Sequence, residues 1–148
     1  MAYFSIRLIE DFRATAMAFE FHEYSKRWRI IKKQKTDRLM YINRKVSLND
    51  LGVLSQTTKF DIVLALSVLH HVPGEVEEWI LAMRRLARFT IVEMALSDSA
   101  RTAGKHGYQV PPGGEIIGYG ESHLEDGFMR PIFVFSNVEV DAYGCISQ

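Results

Sequence analysis

At 148 residues the chain is long enough for one domain around a single core, and its composition (47% hydrophobic, 24% charged) is that of an ordinary globular protein. Its 18 Lys and Arg balance 18 Asp and Glu, which argues against a protein held by bulk charge to nucleic acid or to an anionic membrane. Cys145 is the single cysteine, no Cys/His pair has zinc-site spacing, no signal-peptide order opens the chain and no apolar run nears the ~18 residues of a membrane span; the expectation is a soluble, cytoplasmic protein without metal.

The elements follow in chain order. In residues 3–13, Phe4, Leu8 and Phe12 recur four apart with Ile9 beside them, which predicts a helix with Arg7, Glu10 and Asp11 outside its apolar stripe. TAMAFEF (15–21) reads as a short buried strand ending near Glu20. Residues 22–35 read as a helix anchored by Trp28 and Ile31, its Lys/Arg-rich second half suited to a helix C-terminus. RLMYINRKVS (38–47) reads as a strand and LNDLGVLSQTTK (48–59) as a polar connector.

FDIVLALS (60–67) is the strongest strand candidate. Ile62 to Leu66 run without a polar break, a pattern suited to a strand covered on both faces and placed at or near the centre of a sheet. Pro73 and Gly74 break the chain, and Val76, Ile80, Met83 and Leu86 then recur at helical spacing, with Glu75, Glu77 and Glu78 leading and Arg84 and Arg85 closing the helix as its dipole favours. RFTIVEMAL (88–96) reads as a further buried strand, residues 97–115 as a long Gly/Pro/Ser-rich loop, and EIIGYG (115–120) with RPIFVFSN (130–137) as an antiparallel pair closing one edge. Alternating strands and helices up to residue 96 predict an α/β fold, a mostly parallel sheet flanked by helices, in one domain spanning 1–148.

Open α/β sheets bind ligands outside the carboxyl ends of their strands. Glu20, the stretch from Ser67 to His71, and Glu93 stand at such ends. A carboxylate in the place of Glu20 can accept hydrogen bonds from both hydroxyls of a ribose; the competing reading is a surface glutamate that ends a strand. His70 and His71 can be read as a general base, since an imidazole takes a proton from a hydroxyl or amine near neutral pH. They can equally be read as a packing and capping feature of the loop.

FDIVLALSVLHHV, followed by the acid-led helix EVEEWILAMRRLA and the strand RFTIVEM, resembles the central portion of class I S-adenosylmethionine-dependent methyltransferases. The resemblance implies a Rossmann-like sheet in which FDIVLALS is the fourth strand and its loop lines the methionine part of S-adenosylmethionine. It places Ser67 and Val68 along that arm, Glu20 on the ribose, Asn49 and Asp50 near the adenine, and His71 at the methyl acceptor. It also implies transfer of a methyl group to an oxygen or nitrogen nucleophile.

One family element is missing from these residues. A D/E-x-G-x-G-x-G loop normally follows the first strand, whereas the first glycine here is Gly52. The expectation is an N-terminally truncated member that lacks the first strand and its loop and binds the cofactor weakly; its open strand edge is closed either by direct pairing of the second strand with the fourth or by a second copy in a homo-oligomer. A non-catalytic binding or assembly module that keeps the fold is the alternative. A different nucleotide-binding α/β domain is a third reading, and the lack of a GxxxxGK[ST] motif counts against phosphate-loop chemistry in it.

Overall fold

The computed structural model describes residues 2–20, 37–94, 112–121 and 129–137. The chain divides into two compact units, Met1–Ser47 and Leu48–Gln148. The helix expected over 22–35, most of the loop expected over 97–115 and the connector between the last two strands lie outside the described residues.

The first unit holds α1 (Ala2–Phe12), β1 (Ala16–Glu20) and β2 (Leu39–Asn43). α1 forms where its apolar spacing predicts, but the stripe is rotated. Ile6, Leu8 and Ile9 are half-buried, whereas Phe12 is 76% exposed. On its outer face Arg7 pairs with Asp11 one turn on, at 2.8 Å. Arg13 ends the helix with a left-handed φ of 56°, its N–H donating to the Ile9 carbonyl at 3.0 Å. β1 and β2 pair in parallel, from Ala16 opposite Leu39 to Glu20 opposite Asn43.

The second unit holds α2 (Leu48–Thr57), β3 (Phe60–Ala65), α3 (Val76–Arg84), β4 (Ala87–Glu93), β5 (Glu115–Glu121) and β6 (Met129–Ser136). Its sheet runs β3-β4-β6-β5. β3 and β4 are parallel, while β6 is antiparallel to both β4 and β5. The late strand RPIFVFSN is thus antiparallel within the sheet, as expected.

Three expectations need correction. The sheet is mixed rather than mostly parallel, because the β5–β6 pair supplies half of the strands in the second unit. β3 lies at an edge rather than at the centre: among the described residues it pairs only with β4, and Ile62 is 44% exposed. The segment 48–59 is a helix over most of its length rather than a connector. Ser47 precedes it with Asp50 three residues on, the spacing of a capping box, and Leu51 buries its face.

The core of the second unit sits on one face of the sheet. Thr90 is opposite Phe135 and Val92 opposite Phe133, and all four are fully buried. α3 packs over them with Val76, Trp79, Ile80 and Met83 inward, and the Arg84 guanidinium lies 5.5 Å from the Phe135 ring centre. Gly114 is required here by close approach, since a Cβ would stand 2.8 Å from that same ring.

Candidate functional site

β3 ends at Ala65 and the chain then turns sharply. Ser67 takes a φ of 54°, in the left-handed region that residues with a Cβ rarely visit. Val68 follows at φ −123° and ψ −29°, and Leu69–His71 forms a single 3-10 turn. Within it the His71 N–H donates to the Val68 carbonyl at 2.9 Å and the Val72 N–H to the Leu69 carbonyl at 3.4 Å. Leu69 is buried and pins the turn, whereas His71 is exposed. Beyond Gly74 (φ 80°) the chain enters α3, where Trp79 Nε1 donates to the Pro73 carbonyl at 2.8 Å. The exit from β3 is therefore fixed from below by Leu69 and from the helix side by Trp79.

A second fastening comes from across the sheet. Arg130, at the start of β6, is only 4% exposed. Its Nη1 donates to Ser67 Oγ at 2.8 Å and stands 3.8 Å from Glu93 Oε1. β4 lies between β6 and β3, so strand spacing sets a span of roughly 9–10 Å that only a long side chain bridges. A guanidinium this deep needs a counter-charge, and Glu93, whose side chain is 14% exposed, supplies it. The register makes this geometry natural: Glu93 is opposite Ile132, two residues from Arg130 and therefore on the same face. Opposite Arg130 on β5 stands Gly120, where a Cβ would come 3.5 Å from Glu93 Oε1.

The residues singled out from sequence fall on three elements. Ser67 and Val68 form the left-handed turn itself, with His71 at its end. Asn49 (exposed) and Asp50 (half-buried) occupy the first turn of α2. Glu20 is the last residue of β1 in the first unit, half-buried and opposite Asn43. The His70 side chain lies outside the described residues. Sequence reading noted Glu93 only as a polar strand end and missed Arg130 altogether. A signal was present: one acid stands in the otherwise apolar TIVEMAL and one base opens the otherwise apolar RPIFVFS, a complementary pair in adjoining buried strands.

Among the described residues no group of three or more His, Cys, Asp or Glu side chains could hold a metal ion, and no helix is long and apolar enough to cross a membrane. A shallow depression of about 240 Å³ lies between α2 and α3, lined by Leu48, Gly52 and Ser55 against Glu78, Leu81 and Arg85. It includes none of the residues at the β3 turn.

No protein-family model matches the sequence and no curated protein matches it. Solved structures do match in fold. The chain is similar to a crystal structure of WbdD with a TM-score of 0.70 at 19% identity, over 91% of this chain and 33% of that one. A co-crystal structure of WbdD with a kinase inhibitor gives 0.69 at 18% identity, over 92% and 34%. A third structure, described as the bifunctional kinase-methyltransferase WbdD, gives 0.67 at 19% identity, over 91% and 32%. The chain spans about a third of the length of these neighbours. The likeness is one of fold.

Proposed function

We propose that this chain is a methyltransferase-like domain that binds S-adenosylmethionine at the carboxyl end of β3 and directs its methyl group to an oxygen or nitrogen nucleophile. One observation carries the reading: Ser67 is held in a left-handed turn where β3 leaves the sheet, the place where open α/β sheets address their ligands. The fold likeness to a kinase-methyltransferase supports it. When bound, the cofactor supplies a sulfonium methyl; the nucleophile's lone pair forms the new bond to carbon as the sulfur–carbon bond breaks and a thioether leaves.

Since the leaving group is already activated, the protein contributes mainly alignment. In this reading the main chain of Ser67 and Val68 holds the methionine arm, and Asn49 and Asp50 serve the adenine. Glu20 is assigned to the ribose on the sequence resemblance. His71, exposed at the end of the turn, contacts the methyl acceptor and can take its proton and pass it to solvent.

The alternative is a non-catalytic binding or assembly module with the same fold. Within these 148 residues no glycine precedes Gly52, so this chain tested alone offers the cofactor no glycine-loop contacts from that stretch. Each hydrogen bond missing to a charged ligand group weakens binding by about 1.5–3 kcal/mol, and about 1.4 kcal/mol is tenfold. The methyltransferase reading accordingly expects weak binding, and the module reading none. Calorimetry with S-adenosylhomocysteine separates them: saturable heat with one site per chain supports the first, and no heat at millimolar ligand eliminates it.

A further inference from the structure

We propose that Arg130 is a positioning residue for the ligand-facing turn after β3: it holds Ser67 in its left-handed conformation from two strands away, with Glu93 as the charge partner that lets a guanidinium do so while buried. The ligand half of this inference rests on the cofactor reading above; the conformational half does not.

Three observations converge on the assignment. Ser67 carries a Cβ yet sits at a φ of 54°, which its own backbone does not favour. Its Oγ accepts a 2.8 Å hydrogen bond from Arg130 Nη1, and a bond from an ionised donor is stronger than one between neutral groups. Arg130 is in turn fixed, since it is nearly sealed from solvent and lies beside Glu93. β6 pairs with β4 from Ile132 to Ser136 and, through Arg130 itself, with Gly120 of β5, so the guanidinium is mounted on a strand paired on both sides and reaches a turn at the edge of the unit. One nitrogen, Nη1, faces both Ser67 Oγ and Glu93 Oε1; a lysine would carry the charge without the planar guanidinium that sets the direction of that nitrogen.

The test compares Arg130→Met, Arg130→Lys, Ser67→Ala, Ser67→Gly and the double variants by amide hydrogen exchange and by titration with S-adenosylhomocysteine. The His71 and Val72 amides, both hydrogen-bonded within the turn, report its opening. Arg130→Met and Ser67→Ala should each speed exchange at those two amides by about tenfold relative to the amides of α3, and the pair together should do no more than either alone. Glycine takes this φ without help, so Ser67→Gly placed in the Arg130→Met background should recover part of the protection, a rescue that general loosening of β6 would not give. S-adenosylhomocysteine binding should weaken by a similar factor and follow the same pattern.

Additive effects, or faster exchange spread evenly over β4 and β6, would overturn the assignment. Should Arg130→Met fail to fold, Ser67→Ala and Arg130→Lys decide the matter, because both leave the buried charge in place; protection of the turn unchanged in both would count against the proposal. If the parent chain binds no S-adenosylhomocysteine, the cofactor reading falls while the exchange measurement still tests the positioning of Ser67.

Discussion

Arg84 and Asn137 hold each other reciprocally across the second unit. Arg84 Nε donates to Asn137 Oδ1 at 3.1 Å, and the Asn137 side-chain amide donates back to the Arg84 carbonyl and to the Ala87 carbonyl. The Asn137 N–H also donates to the Arg88 carbonyl at 2.9 Å. One residue just after β6 therefore satisfies carbonyls at the end of α3 and at the start of β4 together. The nearby Lys59 ammonium adds a 2.6 Å bond to the Arg85 carbonyl, as suits the negative end of a helix.

Asn137→Ala removes both side-chain donors and leaves part-buried carbonyls unmet. The expected loss is about 2 kcal/mol, read as a drop in Tm of roughly 5 °C for a chain of this size. Asn137→Asp should fare no better, since a carboxylate cannot donate to either carbonyl. Thermal denaturation of the two variants with unchanged Tm would show that the clamp carries no weight.

Thr90 offers the opposite case. It is fully buried between Val63 and Phe135, and among the described residues its Oγ1 has no hydrogen-bond partner. A hydroxyl desolvated without compensation is a net cost, so Thr90→Val, which keeps the β-branched shape, should stabilise by about 1 kcal/mol. Chemical denaturation that gave a lower midpoint for the valine variant would contradict this.

How much of this was legible in the sequence follows from what each kind of pattern encodes. Apolar runs report burial tendency, and each of the six described strands overlaps such a run, although β2 stops at Asn43 and β4 at Glu93, short of the positions 47 and 96 that the runs suggest. They do not report neighbours, so the unbroken Ile62–Leu66 run pointed to a central strand where the structure has an edge one. α2 escaped because Asn49, Gly52, Ser55 and Gln56 dilute its periodicity, leaving Leu51 as its one buried residue. Arg130 escaped because a charge at a strand's first residues reads as a flank. Only the register reveals that it shares a face with Glu93 and reaches Ser67.

The edge position of β3 has its own consequence. Among the described residues β3 pairs only with β4; a strand edge left unpaired recruits partners, and the half-exposed Ile62 adds apolar surface to that strand. The 148-residue chain is expected to self-associate, sedimenting above its 17.0 kDa monomer mass in a concentration-dependent way. Ile62→Lys should shift it towards monomer with little change in Tm, because an exposed substitution of this kind moves stability by only about 0.5 kcal/mol. A parent chain monomeric at every concentration would remove this expectation.

The central claim is that the Ser67 turn addresses S-adenosylmethionine, and the most direct measurement is a titration of isotope-labelled chain with S-adenosylhomocysteine followed by amide chemical shifts. The account predicts fast-exchange shifts centred on residues 66–71, with a dissociation constant on the order of hundreds of micromolar given the missing glycine loop, and little change in affinity on Glu20→Ala. Shifts absent from that turn at millimolar ligand would contradict the cofactor reading. Micromolar binding abolished by Glu20→Ala would contradict the account of its weakness, and would mean that another segment performs the work of the glycine loop.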